Sequence, residues 1–120
     1  MIRIGTRDSV LALWQANKVK VLLEAEDHAC SIVKIKSQGD LILDKPLYEI
    51  GITGVFTKTL DAALLRNDID IAVHSMKDVP TLLPKGLVEF AVLVQELVLV
   101  QVSIVSFLIH IYLIIYRLKY

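Results

Sequence analysis

Ile69-Asp70-Ile71-Ala72-Val73 runs directly into His74-Ser75-Met76-Lys77-Asp78-Val79-Pro80, and this stretch decides the fold. Its first half is short and β-branched, the pattern of a buried strand. Its second half is densely polar and closes on a proline, so it falls where that strand stops. Open α/β sheets gather their ligands at the C-terminal ends of strands. A lysine beside an aspartate there offers a holder for negative groups and a carboxylate for proton or cation work.

Working outward, Ile2-Arg3-Ile4 predicts a first strand, Gly5-Thr6-Arg7-Asp8 a turn, and Ser9 a helix N-cap. Ala12, Ala16, Val19 and Leu23 recur at helical spacing, which predicts an amphipathic helix from Val10 to about Ala25. Ile32, Val33 and Ile35 between lysines 34 and 36 predict a second strand over Ser31 to Lys36 with a partly solvated face. Ser37-Gln38-Gly39-Asp40 ends it, and the glycines of Ile50-Gly51-Ile52-Thr53-Gly54 predict a loop rather than a regular element. A helix from about Thr57 to Arg66 puts Leu60, Ala63 and Leu64 on one face. Asp68 to Val73 then predicts a third strand and Leu87 to Leu93 a fourth. The β-α-β-α-β alternation implies an α/β class, a mainly parallel sheet flanked by helices.

The 120 residues suit one domain with a modest core. Thirteen basic and thirteen acidic side chains cancel, with no polybasic block, so electrostatic capture of nucleic acid is unsupported and a small-molecule partner is expected. Cys30, the single cysteine, has no partner for an internal disulfide and no neighbours at metal-ligand spacing, so no metal site is expected. It reads as a packing residue on a strand. The composition nevertheless breaks. From Leu97 to Tyr116 there are twenty residues without Asp, Glu, Lys or Arg, long enough to span a bilayer as a helix.

Several residues could carry chemistry. Arg7, ahead of the first helix, could join that helix's free N–H groups in holding a carboxylate or phosphate, or could be a surface arginine. Ser9 reads first as a cap. His74 reads first as a packing residue at a strand end. Lys77 and Asp78 either pair on the surface, worth at most about 1 kcal/mol, or face a ligand. Gly51 and Gly54 do not follow a strand in the order a phosphate loop needs.

Four ordered segments then resemble a known family. R-I-G-T-R-x-S-x-L-A-L-W-Q-A-N at 3–17, I-K-S-Q-G-D-x-I-L-D at 35–44, G-V-F-T-K-x-L at 54–60 and D-I-A-V-H-S-M-K-D-V-P-T-x-L-P at 70–84 are similar to the N-terminal domain of porphobilinogen deaminase, also called hydroxymethylbilane synthase. The resemblance implies a periplasmic-binding-protein-like lobe, present in part. It implies a transferase of tetrapyrrole (heme) biosynthesis that joins four porphobilinogen units into a linear tetrapyrrole, releasing ammonia at each step. Asp78 matches the catalytic carboxylate, near pyrrole N–H groups. Loss of ammonia leaves an electron-poor centre, and a fixed anion stabilises that developing charge. Lys77, Ser75 and Arg7 match positions contacting the dipyrromethane cofactor or the acid arms of the substrate, and Ser9 and Gln15 match substrate-binding neighbours. Phe56 resembles an aromatic close to the pyrrole rings. The family is typically monomeric and cytoplasmic.

The pattern also departs from the family. Thr53 stands where a lysine is usual, and Asp8 adds a carboxylate beside Arg7 that should oppose capture of another carboxylate. Nothing resembles the arginine-bearing second domain or the third domain whose cysteine anchors the cofactor, and Cys30 lies far in sequence from that position. The expected division is a deaminase-like domain over 1–93, incomplete, and an apolar tail over 94–120, which is either an aberrant C-terminus or a membrane helix within 97–116. The chain alone is expected to be inactive. The alternative is a non-catalytic, membrane-anchored protein that binds a pyrrole or carboxylate.

Overall fold

The computed structural model describes residues 1–36, 57–75, 78–80, 82–102 and 105–118, with side chains as far as Leu93. In chain order the elements are β1 (Ile2–Arg7), α1 (Val10–Ala25), β2 (Cys30–Ile35), α2 (Lys58–Leu65), β3 (Ile71–Ser75), β4 (Leu87–Val102) and β5 (Val105–Leu118). They form one five-stranded sheet in the order β2-β1-β3-β5-β4. β1 pairs in parallel with β2 (Ile2 with Cys30 through Arg7 with Ile35) and with β3 (Ile4 with Ile71, Gly5 with Ala72). This three-stranded parallel unit flanked by helices is the α/β arrangement that the alternation of the sequence predicts.

Strand alternation divides the core in two. Ile4, Ala16, Val19, Cys30, Ile71 and Val73 pack under α1, while Leu60, Ala63, Leu64, Ile69, Ala72 and Leu87 pack under α2. Ile71 and Val73 thus face one helix and Ala72, between them, the other. Gly5 lies where the α2 side is tightest, and a Cβ there would overlap the side chain of Ile69. Arg3 fastens the first strand to the third: its backbone N–H and side chain all donate to Asp70, at 2.8–3.0 Å. The Arg3 guanidinium, chiefly through this hydrogen bonding, holds the Asp70 carboxyl below its ordinary pKa.

The helices start and stop where local chemistry directs. Ser9 Oγ accepts the Ala12 N–H at 3.3 Å, as its N-cap reading predicts. Asp27 and Asn67 take the left-handed conformation just beyond α1 and α2, with φ of 63° and 60°. Asp68 N–H then reaches back to the Ala63 carbonyl at 2.9 Å, closing the end of α2.

Four expectations need correction. Gly5 to Arg7 are strand rather than turn, because pairing with β2 continues through Arg7 and Gly5 also pairs with β3. The third strand is shifted to 71–75, since Asp70 is engaged with Arg3 and Asn67 must first end α2, so His74 and Ser75 belong to the strand itself. The fourth strand extends to Val102. Residues 97–116 contain no described helix. Residues 97–102 belong to β4 and 105–116 to β5, an antiparallel pair with irregularities between Glu89 and Ala91 and between Gln95 and Val98, and β5 also pairs antiparallel with β3. Nine of those twenty residues are Val or Ile, which favour strand over helix in backbone terms. Among the described residues no helix is long and apolar enough to cross a membrane.

α1 departs from the expectation in another way. Its inner face is buried as predicted, but its outer face is also apolar: Val10, Leu11, Trp14, Val21 and Leu22 are all exposed.

Candidate functional site

The C-terminal ends of β1 and β3 and the first turns of α1 enclose a shallow pocket of about 330 Å³, part of it open to solvent. Arg7 comes from the last position of β1, Ser9 and Gln15 from the start of α1, His74 and Ser75 from the last two positions of β3, and Asp78 from just beyond it. Parallel pairing of β1 with β3 brings these ends together. Residues about seventy apart in sequence meet there because the two strands run the same way.

Arg7 and Asp78 form the charged part of the site. Arg7 Nη1 lies 4.0 Å from Asp78 Oδ2, and the side chains are only 19% and 14% exposed. At that separation the two charges attract one another without forming a bidentate fork between them. Lys77, which the sequence offers as a neighbour for Asp78, lies outside the described residues, and among those described Arg7 faces Asp78. Asp8 is drawn away to Lys34 of β2, its Oδ1 3.2 Å from the ammonium, which offsets the repulsion it would exert on an incoming carboxylate.

Beside the ion pair is a neutral wall. Gln15 is almost wholly buried, and its Nε2 donates to Ser75 Oγ at 3.0 Å while Ser75 Oγ lies 3.1 Å from Gln15 Oε1. Thr6, fully buried, donates to the Ala12 carbonyl at 3.0 Å and so clamps the first turn of α1 onto β1. His74 is buried as well. Burial first, and the positive Arg7 second, push its pKa down to about 4, so the imidazole is neutral at physiological pH. Thr6 is a positioning residue that no sequence signal marked, because a threonine in a strand is ordinary.

Of the residues singled out from sequence, Arg7, Ser9, Gln15, Ser75 and Asp78 converge on this pocket. Lys77 and Phe56 lie outside the described residues, as do Gly51, Thr53 and Gly54. Cys30 is buried at the opposite end of the sheet: it pairs with Ile2, at the start of β1, whereas Arg7 ends that strand. Five residues of extended chain separate these ends by roughly 17 Å. Its thiol contacts the His28 carbonyl at 3.2 Å, and its packing role stands.

The family described as porphobilinogen deaminase, dipyromethane cofactor binding domain, matches residues 2–102. The chain belongs to the porphobilinogen deaminase family. A probable porphobilinogen deaminase of Methanocaldococcus jannaschii is 57% identical over 96 residues, covering 80% of this chain and 32% of that protein. The porphobilinogen deaminase of Geotalea daltonii is 60% identical over 88 residues, 72% of this chain and 28% of the relative. A chloroplastic porphobilinogen deaminase of Oryza sativa subsp. japonica is 59% identical over 92 residues, 72% of this chain and 26% of the relative. The chain therefore spans about a third or less of these relatives' length. The matched region takes in every element of the pocket and runs into β4.

Proposed function

We propose that the pocket is the cofactor- and substrate-facing wall of a hydroxymethylbilane synthase, which condenses porphobilinogen units with release of ammonia. The observation that carries this reading is the Arg7–Asp78 pair, largely sheltered at the C-terminal ends of two parallel strands in a dipyrromethane-binding family. A dipyrromethane presents carboxylate arms and pyrrole N–H groups, and the residues fit both. Arg7 suits a carboxylate, through a planar fork that a neutral His74 does not contest with a second charge. Asp78 suits the N–H groups, accepting from them and holding a fixed negative charge where positive charge develops on loss of ammonia. Ser75 and Gln15 orient one another and offer a neutral edge, and Ser9 fixes the start of α1 beside it. Lys77 and Phe56 enter by family resemblance, as a further cofactor contact and a face for the pyrrole ring. When bound, the cofactor supplies the primer onto which the substrate units are joined.

Covalent attachment does not fall to Cys30, the chain's one thiol, which is buried at the far end of the sheet from Asp78. The 120-residue chain incubated with porphobilinogen should therefore yield no hydroxymethylbilane. A chimera in which residues 1–93 replace the corresponding segment of the M. jannaschii relative tests the same site within that relative's full chain. Turnover by the chimera, and a loss of about a hundredfold or more on Asp78→Asn, is the expected result. A chimera that turns over equally well with Asp78→Asn would overturn the reading. An unpaired cysteine accords with a reducing, cytosolic setting.

A further inference from the structure

Asp8 is the residue beside the pocket whose charge should work against it. It stands between Arg7, the last residue of β1, and Ser9, the N-cap of α1. The first turn of α1 carries no acidic side chain, so Asp8 is the carboxylate next in sequence to both groups that draw an anion, the Arg7 guanidinium and the positive start of the helix. An unheld carboxylate there would compete with a ligand carboxylate for them. The register of β1 and β2 supplies what holds it. Ile4 and its partner Ile32 pack on the α1 side of the sheet, whereas Val33 and Ile35 pack on the α2 side. Lys34, the partner of Thr6, therefore projects on the α1 side, one strand position beyond the core packing of Ile32. Thr6 on that side reaches the Ala12 carbonyl, and the Lys34 ammonium reaches Asp8 Oδ1 at 3.2 Å.

We propose that Lys34 is a positioning residue for anion capture: it holds the Asp8 carboxylate toward β2 and thereby leaves Arg7 to a carboxylate arm of the ligand. This role rests on the reading of the pocket as a dipyrromethane site. Lys34 acts through Asp8 rather than by contact, since neither of them is among the described residues that line the pocket. Lys34 is 56% exposed and Asp8 39%, so water and salt screen the pair and its influence on a ligand is a few-fold, not orders of magnitude. Its sign is what distinguishes it. In an ordinary surface pair that ties the β1–α1 turn to β2, loss of either partner has the same consequence. In a positioning pair the two losses act in opposite directions: without Lys34 the Asp8 charge is released beside Arg7, and without Asp8 there is no charge to restrain.

The test is the affinity of the 120-residue chain for a dipyrromethane bearing acetate and propionate arms, read from NMR titrations at low salt. Lys34→Gln should weaken binding about two- to fivefold, and the loss should fade at about 0.5 M salt. Asp8→Asn should bind as tightly as the parent or more so, and the double variant should match Asp8→Asn. Lys34→Arg keeps the cation and should restore parent affinity. Lys20→Gln removes the same charge from the pair with Glu24 further along α1, and should change nothing. Weakening by Asp8→Asn as large as that by Lys34→Gln would reveal an ordinary structural pair and overturn the proposal. So would an undiminished loss on Lys34→Gln in the Asp8→Asn background, which would make Lys34 a direct attractor of the ligand. A parent chain that binds at the pocket, with Lys34→Gln unchanged from it, overturns this role alone. A parent chain that does not bind the dipyrromethane there overturns the reading of the site and this role with it.

Discussion

The two halves of the sheet are built on different terms. The parallel half, β2-β1-β3, is covered by α1 on one side and α2 on the other, has a packed core on each face, and ends in the polar pocket. In the antiparallel half, β5 borders β3 only over residues 113–117, and beyond that β4 and β5 pair with one another alone among the described residues. Strands held between helices and central neighbours are fixed by burial, and their ends can position chemistry. A two-stranded extension contributes hydrogen bonds but little that fixes it, since an isolated hairpin is marginal in water.

The sharpest way to break this contrast is in the core under α2. Leu64 is fully buried, and Leu64→Ala should cost about 2–5 kcal/mol, read from the urea midpoint. A loss below about 1 kcal/mol would mean that the helix-covered half is not the stabilising one. Gly5→Ala is the next largest. The added methyl meets the Ile69 side chain and should cost about 1–3 kcal/mol by overpacking, measured in the same way.

The pH dependence of stability sharpens the comparison from within the parallel half. His74 has a folded pKa lowered to about 4, so the folded state binds fewer protons than the unfolded one below about pH 6.5. Stability from this group is complete above about pH 6.5 and is lost as pH falls toward 4, by roughly 2–3 kcal/mol. Asp61 behaves oppositely. It is buried on α2 with one carboxyl oxygen lacking a hydrogen-bond partner among the described residues, and burial, only partly offset by hydrogen bonding to Thr57, raises its pKa to about 6. Its ionisation costs stability as pH rises from about 4 through 6 and reaches about 1–3 kcal/mol above that. Asp61→Asn should therefore stabilise the chain at pH 7.5 and change little at pH 4. Equal effects at both values would remove burial of the charge as the cause.

The smallest effect belongs to the cap. Ser9→Ala removes the acceptor for the Ala12 N–H and should cost about 1 kcal/mol. In hydrogen exchange, amides of 71–75 should be protected far longer than those of 98–102 and 105–109, where only two strands meet. Comparable protection would erase the contrast.

Much of the parallel half is legible in the residues. Ser9 marks the start of α1, Ala12, Ala16 and Val19 mark its buried face, and Leu60, Ala63 and Leu64 mark that of α2. Arg7 and Asp78 are legible as candidates because charged residues directly follow apolar strands. Their pairing is not, because proximity across the sheet depends on parallel register, which no local pattern encodes. The extent of β1 was hidden by Gly5, which reads as a turn in isolation but in the fold is required by Ile69. The outer face of α1 was hidden because periodicity records where apolar residues recur and not that they recur on both sides. In 97–116 the length and lack of charge fit a helix across a membrane, whereas the abundance of Val and Ile fits strand, and the sheet edge offered by β3 gives those strands a place to pair.

The central claim is that the ends of β1 and β3 form a site in which Arg7 and Asp78 act on one ligand. The direct measurement is a titration of the isotopically labelled chain with a dipyrromethane bearing acetate and propionate arms, followed residue by residue by NMR. Shifts confined to Arg7, the first turn of α1, His74, Ser75 and Asp78, abolished by Arg7→Gln and Asp78→Asn in variants that keep the parent spectrum elsewhere, are the predicted result. Saturable binding whose shifts lie elsewhere on the chain, or that survives both substitutions, would contradict it.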